Sequence, residues 1–337
     1  MPNSPLQEAR QDRITNEWVL CAPTRGDRPH DIDDVETPSP SDDTPVEGCP
    51  FCPGHEAMLP RVIEERPASN GAPWQTRVVP NKYPAMTPDA PDDTQLCGLY
   101  RMRGGRGHQE VIIDTPFHYR SLAHMAVDEV DAVLHTYLAR YRHYRTSDAD
   151  VIPHVFRNHG AEAGASLPHP HSQLIATPLP PPRMQREEAQ AKALYDEHGR
   201  CPYCEMLEEE QSAGARLVFT NDDFVVFVPY AATVPFTQWI VPRAHEPELG
   251  RTDAAERRAL AEALHEAVGR LHRALGDPDY NFFFRTALEY ASDAPHLHWS
   301  LRIRPRTTVD AGFELGTGLN INPSLPERDA EVLRSSV

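Results

Sequence analysis

Lysine is nearly absent from this chain of 337 residues, in which Lys82 and Lys192 are the two lysines and the formal net charge is −17. Proteins that bind a nucleic-acid backbone use clustered lysine and arginine side chains to neutralise its phosphates. The charge balance therefore argues against a nucleic-acid partner. Individual arginines can still bind a small phosphorylated molecule.

Long hydrophobic runs are also lacking, although 39% of the residues are hydrophobic. A helix that crosses a membrane needs about 20 consecutive apolar residues, so we expect no membrane partner. The segment from Met1 to Arg13 is polar and has none of the basic-then-apolar pattern of a secretory signal. We therefore expect a globular protein of the cytoplasm, where thiols stay reduced.

Cysteine is scarce, but four of the six cysteines fall in two pairs of one form, Cys49-Pro50-Phe51-Cys52 and Cys201-Pro202-Tyr203-Cys204. Downstream of each pair, a histidine follows an apolar run of the kind that forms strands. These histidines are His118 and His245. The repeated pattern indicates that the two halves of the chain are related.

The spacing of further histidines supports a duplication. From His118 to His169 is 51 positions, and from His245 to His296 is again 51. In both places the second histidine begins a His-x-His triplet that follows a proline. Such a shared register predicts an internal repeat, and the length of the chain fits two units of similar size.

Each copy is predicted to form strands, one helix and returning strands. In the second copy Asp253 and Glu256 form a capping box at the start of a helical pattern, and in the first copy a looser pattern begins at Asp128. This order predicts an α+β fold of two tandem units, with antiparallel sheets and flanking helices. A segment rich in Glu, Gln and Ala follows the first copy, which places the boundary between residues 1–182 and 183–337.

The cysteines and histidines suit two metal sites. A Cys-x-x-Cys places two thiolates on one turn, and two distant imidazoles complete the tetrahedral donor set that zinc prefers. The expected ligands of the first site are Cys49, Cys52, His118 and His169, and those of the second are Cys201, Cys204, His245 and His296. A single Cys-x-x-Cys could equally be a redox pair or a coincidence, but two copies in register favour zinc. With four protein ligands at each site, we expect the zinc to be structural.

The segment around His171 carries a candidate nucleophile. Gly164 and Ser166 lie just before His169-Pro170-His171, and glycine and serine let backbone donors approach a phosphate closely. Residues two apart on a strand point the same way, so a metal-bound His169 would fix the backbone that presents His171. A neutral imidazole is a competent nucleophile toward phosphorus. The triplet alone could also be a surface turn or one more pair of metal ligands.

The run from Gly164 to Gln173 resembles the active-site motif of the galactose-1-phosphate uridylyltransferases, a branch of the histidine-triad superfamily. The similarity extends over nearly the whole chain. It implies that His171 attacks the α-phosphorus of UDP-glucose and then passes the uridylyl group to a hexose 1-phosphate such as galactose 1-phosphate. This is a ping-pong reaction with a uridylyl-histidine intermediate, and the resemblance also implies a homodimer.

The same resemblance implies the catalytic partners and substrate contacts of His171. Gln173 and Ser166 would hydrogen-bond the transferred phosphate, and Gln173 favours transfer because hydrolases of the superfamily carry histidine there. Contacts with the substrate are implied for Arg25, Arg28, Asn81, Asn158, Gly164, Ser166 and Gln173. In the second copy, members of the family with a second Cys-x-x-Cys imply His296 as the metal ligand, whereas some other members use a different ligand set with both His296 and His298. The second site could also hold iron.

The chain departs from the family near its C-terminus. The transferases carry a lysine there that reaches the sugar phosphate, and Thr308 to Phe313 contains none. Residues 312–318 instead resemble a sub-branch that transfers adenylyl groups and phosphorolyses ADP-glucose. An ADP-glucose phosphorylase or related adenylyltransferase is therefore the nearest alternative. A zinc-stabilised nucleotide-binding protein without turnover is the alternative from another class.

Overall fold

The structure is a computed structural model, and it describes residues 7–27, 45–68, 71–290 and 292–336. Within these ranges the chain forms fifteen strands and six helices. The strands of the first half are β1 (Glu8–Asp12), β2 (Glu17–Cys21), β3 (Glu64–Arg66), β4 (Thr76–Pro80), β5 (Thr94–Cys97), β6 (Tyr100–Arg103), β7 (His108–Ile113), β8 (Ile152–His159) and β9 (His171–Thr177). Those of the second half are β10 (Leu217–Thr220), β11 (Phe224–Phe227), β12 (Gln238–Pro242), β13 (Tyr280–Arg285), β14 (Ser300–Pro305) and β15 (Asn320–Asn322). The helices are α1 (Val127–Ser147), α2 (Pro182–His198), α3 (Pro202–Ala213), α4 (Ala254–Leu275), α5 (Gly312–Thr317) and α6 (Pro326–Ser335).

Ten strands form one antiparallel sheet in the order β10-β11-β12-β14-β13-β8-β9-β7-β4-β3. Each half of the chain supplies five neighbouring strands. The halves meet where β8 pairs with β13, with Tyr280 opposite His159 and Phe283 opposite Phe156. Because the connectivity is the same from either edge, an approximate twofold axis passes between β8 and β13. The predicted α+β fold of two repeated antiparallel units is thus confirmed.

Helices α1 and α4 pack against each other on one face of the sheet. The start of α4 is the predicted capping box: the Asp253 carboxylate accepts hydrogen bonds from the backbone N–H groups of Ala255 and Glu256, and the Glu256 carboxylate accepts one from the backbone of Asp253. Helix α1 begins at Val127, one residue before the start expected from the sequence. Their apolar faces close the main core over the sheet.

The alternation of side chains along β9 decides which residues reach each face of the sheet. Leu174 and Ala176 are fully buried in the core beneath α1. His171 and Gln173 therefore point to the opposite face. A second apolar cluster lies on that face and includes Phe51 and the two cysteines of the first pair. The candidate nucleophile and the first Cys-x-x-Cys are thus brought to the same side.

A smaller sheet joins the two ends of the described chain. Strand β15 pairs in parallel with β2, with Ile321 opposite Leu20, and β2 pairs with β1. The large sheet also runs continuously through both halves. The boundary near Pro182, the first residue of α2, therefore stays a prediction. In the described part of the chain, no helix has the length and apolar character needed to cross a membrane.

Candidate active site and metal centres

Four buried side chains from distant parts of the first half converge at one point. They are Cys49, Cys52, His118 and His169, whose ligand atoms all lie within 4.8 Å of one another. The Cys52 Sγ is 3.4 Å from His118 Nδ1 and 3.6 Å from His169 Nδ1, and the Cys49 Sγ is 3.6 Å from His169 Nδ1. A tetrahedral zinc ion keeps its sulfur and nitrogen ligands about 3.6 Å apart. The cluster therefore has the spacing of a closed zinc site.

The hydrogen bonds of His169 prepare its ring for metal binding. Its Nε2 lies 2.8 Å from the backbone carbonyl oxygen of Thr115. Since a carbonyl can only accept, Nε2 carries the proton and Nδ1 presents a lone pair to the two thiols. Burial lowers the pKa of His169 to about 4. The imidazole is therefore neutral at physiological pH, as a metal ligand must be.

A second cluster in the other half has the same composition, but one ligand differs from the prediction. Its members are Cys201, Cys204, His245 and His298. The Cys204 Sγ is 3.5 Å from His245 Nδ1 and 3.7 Å from His298 Nδ1. The expected ligand His296 is not part of it. The assignment of His296 is therefore corrected to His298, and the other three predicted residues do come together.

The strand register explains this correction. His298 donates from Nε2 to the carbonyl oxygen of Pro242 at 2.9 Å, as His169 does to Thr115. These carbonyls lie three positions before His245 and His118, respectively. The structural equivalent of His169 is thus His298, because the loops of the second half contain two more residues than the equal spacing of 51 suggested.

This register also identifies the equivalent of His171. His169 lies two residues before the start of β9 at His171, and His298 lies two residues before the start of β14 at Ser300. The second half therefore has a serine where the first half has the candidate nucleophile. It retains a Cys2His2 cluster without a histidine at the position of the candidate nucleophile.

His171 is held in one tautomer. Its Nδ1 lies 2.8 Å from the carbonyl oxygen of His169, so Nδ1 donates the proton and Nε2 keeps its lone pair. The side chain is 7% exposed, and burial lowers its pKa. The Phe51 ring packs against the imidazole at 5.4 Å between centroids. An oriented, neutral imidazole with a free Nε2 is the form required for attack on phosphorus.

Gln173 follows His171 on the same face of β9, and its amide is also oriented. Its Oε1 accepts a hydrogen bond from Gln109 Nε2 at 2.9 Å and a longer one from Asn81 Nδ2 at 3.5 Å. Gln109 in turn accepts one from the backbone N–H of Ala85 at 2.7 Å. Because its oxygen is occupied, Gln173 presents its NH2 group, which can donate to a phosphate oxygen.

A buried polar network supports the backbone beneath His171. Ser172 Oγ donates to Asp114 Oδ2 at 3.0 Å and also contacts Tyr137, while Asp114 forms an ion pair with Arg157. Burial raises the pKa of Asp114, and the Arg157 guanidinium acts in the opposite direction. The backbone N–H of Asp114 donates to Pro170 at 3.1 Å. The network thus anchors both sides of the strand start that carries His171.

With this geometry in place, comparison with known proteins decides the family. The family model described as "Galactose-1-phosphate uridyl transferase, N-terminal domain" matches residues 3–181. The chain belongs to this family. It is therefore an enzyme of the nucleotidyltransferase type, and the resemblance inferred from the sequence is confirmed.

Relatives within and around this family differ in activity. An ADP-glucose phosphorylase of Arabidopsis thaliana is 32% identical over 334 residues, which cover 97% of this chain and 92% of the relative. A galactose-1-phosphate uridylyltransferase of Thermotoga maritima is 28% identical over 98% of this chain and 99% of the relative. The crystal structure of an Arabidopsis thaliana ADP-glucose phosphorylase with bound ADP-glucose has a TM-score of 0.82 at 29% identity, with coverage of 98% and 99% of the two chains.

The other predicted substrate contacts in this region, Asn158, Gly164 and Ser166, lie on β8 and on the loop that joins it to β9. The β8–β9 register pairs Arg157 with Ser172, and Asn158 and His171 are the chain neighbours of this pair. Gly164 has a φ of +87°, which favours glycine. Ser166 is exposed at the end of the same loop.

The structure leaves the predicted role of the two arginines open. Arg25 is half-buried on a turn after β2, and among the described residues no hydrogen bond joins it to His171 or Gln173. Arg28 lies outside the described residues. Their contact with phosphate therefore stays a prediction.

Sequence reasoning missed several residues that orient the site. Gln109, Asp114, Arg157 and Asn281 act through contacts with residues far away in the chain. Their only local signal is position: Gln109 lies in β7, before His118, and Asp114 directly follows that strand. No motif distinguishes them from ordinary polar residues at strand ends.

Proposed function

We propose that this protein transfers the adenylyl group of ADP-glucose to inorganic phosphate through a covalent intermediate on His171. The observation that supports the intermediate is the hydrogen bond from His171 Nδ1 to the carbonyl of His169 at 2.8 Å. It fixes the proton on Nδ1 and leaves the lone pair on Nε2 available for attack. Tautomer control of this kind is what a histidine nucleophile requires.

The reaction has two balanced steps. In the first, His171 Nε2 attacks the α-phosphorus, the bond from this phosphorus to the bridging oxygen breaks, and glucose 1-phosphate leaves. In the second, an oxygen of inorganic phosphate attacks the same phosphorus, the bond to Nε2 breaks, and ADP leaves with His171 restored. The NH2 groups of Gln173 and Asn158, together with Ser166 and the backbone near Gly164, would donate hydrogen bonds to the α-phosphoryl oxygens as negative charge develops.

The choice of ADP-glucose rests on two observations. The Arabidopsis ADP-glucose phosphorylase has the higher identity of the two relatives described above. The segment from Thr308 to Phe313 also lacks the lysine that the transferases of the family use for the sugar phosphate. We therefore rank phosphorolysis of ADP-glucose above uridylyl transfer, although the motif from Gly164 to Gln173 alone favours uridylyl transfer.

Uridylyl transfer from UDP-glucose to a hexose 1-phosphate such as galactose 1-phosphate, a step of galactose metabolism, is the second candidate. The match to the uridylyltransferase family model and the similarity to the Thermotoga maritima enzyme favour it. Both candidates use the same chemistry at His171. They differ in the base of the donor and in the acceptor.

We propose zinc at both Cys2His2 clusters. Two thiolates and two imidazoles at tetrahedral spacing are the donor set that zinc prefers, although the second cluster could also hold iron. Four protein ligands close each site, so we assign the ion a structural role and attribute the chemistry to His171. We also propose a homodimer in the cytoplasm, which sedimentation and cell fractionation would test.

The decisive experiment measures intact mass. The purified protein is incubated with ADP-glucose or with UDP-glucose, without an acceptor, beside a His171→Asn control. We expect an adenylyl increment on the wild type and none on the control. A uridylyl increment would instead select the second candidate. The absence of an adduct with either donor would contradict the covalent mechanism and favour a nucleotide-binding protein without turnover.

A further inference from the structure

We infer that Asn281, which belongs to the second half of the chain, is a positioning residue for the transfer at His171. It acts by orienting the amide of Asn158 and by holding the loop of residues 160–166. This inference rests on the proposed function, since it concerns the residues that would bind the transferred phosphoryl group.

The contacts of Asn281 are specific. It lies on β13 directly opposite Asn158 of β8. Its Nδ2 donates to Asn158 Oδ1 at 2.9 Å and to the backbone carbonyl oxygen of Ala163 at 2.8 Å. One amide group therefore holds both a side chain that would bind substrate and the backbone of the loop.

These contacts also determine which way each amide points. The carbonyl of Ala163 can only accept, so the Asn281 group that faces it is the NH2. The same NH2 faces Asn158, which must then present its oxygen. The NH2 of Asn158 is consequently directed away from Asn281, toward the loop at Gly164, where an added Cβ would lie 3.8 Å from it. This is the orientation that Asn158 needs to donate to a phosphate oxygen beside His171.

Other residues of the second half complete the clamp on this loop. The backbone N–H of Glu162 donates to Asp279 Oδ2 at 2.6 Å. Arg306 donates from Nε to the carbonyl of Glu162 at 3.1 Å and from its backbone N–H to the carbonyl of Asp279 at 2.7 Å. The loop is thus fixed at Glu162 and at Ala163 by residues more than a hundred positions away.

This arrangement gives the second half a part in the reaction. It carries Ser300 in place of a nucleophilic histidine, so it supplies no covalent step of its own. Through Asn281 and Asp279 it holds the substrate-binding loop of the first half across the central β8–β13 pair. The catalytic unit therefore spans both copies of the repeat.

Removal of the Asn281 amide should slow formation of the covalent adduct. In Asn281→Ala the Asn158 amide can rotate and the loop loses one of its anchors. Misplacement of a binding group by about 1 Å can cost on the order of 100-fold in rate. We expect adduct formation to be about 10- to 100-fold slower.

The test is a double-mutant cycle on the full-length protein with its metal sites loaded. The rate of adduct formation with ADP-glucose and with UDP-glucose is followed by intact mass for wild type, Asn281→Ala, Asn158→Ala and the double variant. Asn221→Ala is the matched control, because Asn221 also donates to a backbone carbonyl, that of Ala259 at 2.9 Å, and accepts from the backbone of Phe224 at 2.8 Å. It should lose similar stability and keep the rate.

Because part of the effect of Asn281 passes through Asn158, the loss of rate in the double variant should be smaller than the product of the two single losses. Three results would overturn the inference: a wild-type rate in Asn281→Ala, losses that multiply in the double variant, or an equal loss of rate in Asn221→Ala. A wild type that forms no adduct with either donor would overturn the proposed function, and this inference with it. That outcome is distinct because it appears before any substitution is made.

Discussion

His171 Nδ1 donates a 2.8 Å hydrogen bond to the backbone carbonyl oxygen of His169, and the ring of His169 belongs to the first metal cluster. The same residue thus has its side chain in the proposed metal site and its carbonyl oxygen bonded to the proposed nucleophile. A metal ion at this cluster would affect the reaction by restraining the backbone of His169, because the carbonyl oxygen of His169 selects the tautomer of His171. The second cluster has no such connection, because Ser300 stands at the equivalent position.

This asymmetry predicts different effects for equivalent cysteine substitutions. Cys52→Ser removes the thiol that faces both histidines of the first cluster, and we expect adduct formation to fall about 100-fold. Cys204→Ser removes its counterpart and should lower thermal stability while most of the rate of adduct formation remains. Intact-mass kinetics and thermal unfolding of both variants check this. Equal loss of rate in the two variants would contradict the proposed link from His169 to His171.

The ligands of the second cluster can be tested by metal content. His298→Asn should reduce bound metal from two ions per chain to one, because His298 Nδ1 lies 3.7 Å from the Cys204 thiol. His296→Asn should retain two, since His296 is not a member of the cluster. Elemental analysis of the purified variants gives the answer. Loss of one ion in His296→Asn alone would restore the assignment made from spacing.

That assignment shows what the sequence could and could not determine. Thiols and imidazoles in a repeated pattern located seven of the eight members of the two clusters, because few other roles require these residue types together. The eighth was predicted as His296, two positions before the observed member His298, because equal spacing along the chain does not measure structural equivalence. Loops tolerate insertions, and here strand β14 begins two residues later than the spacing from His245 implied.

Sequence patterns do not show which distant residues contact each other. The capping box of α4 was predictable because Asp253 and Glu256 are three residues apart. Asn281 and Asn158 are 123 positions apart and meet only because β13 pairs with β8 in one register. A hydrophobic or polar pattern predicts that each strand exists, but the choice and register of its neighbours depend on the complete sheet.

The loop before His171 contains two glycines that allow a matched comparison. Gly160 and Gly164 have φ values of +83° and +87°, so alanine is strained to a similar extent at both. A Cβ at Gly160 would lie 1.8 Å from Asp279 Oδ1, whereas a Cβ at Gly164 would have 3.8 Å to its nearest neighbour, Asn158 Nδ2. We expect Gly160→Ala to slow adduct formation about 10-fold more than Gly164→Ala, since only the former displaces the clamp. Similar rates in the two variants would show that the contact with Asp279 does not hold the loop.

A histidine cluster near this loop predicts a dependence of stability on pH. His159 Nε2 and His272 Nδ1 lie 3.1 Å and 3.2 Å from Asp277 Oδ1. Burial of Asp277 opposes its ionisation, but these hydrogen bonds prevail and lower its pKa to about 2. Because the folded pKa lies below the unfolded value, the stabilisation is present above about pH 4 and is lost as pH falls toward 2. Asp277 has a φ of +61°, which asparagine also tolerates, so Asp277→Asn is a suitable variant.

The difference in free energy of unfolding between wild type and Asp277→Asn should be about 2 kcal/mol at pH 6 and about half of that near pH 3. Denaturant unfolding at several pH values measures it, with the exposed Asp222→Asn as the control that should show little difference at any pH. A difference that stays constant from pH 6 to pH 3 would mean that Asp277 stabilises the fold through its shape or hydrogen bonding alone. Its negative charge would then not be the source, and the cluster would be a packing feature of the loop between α4 and β13.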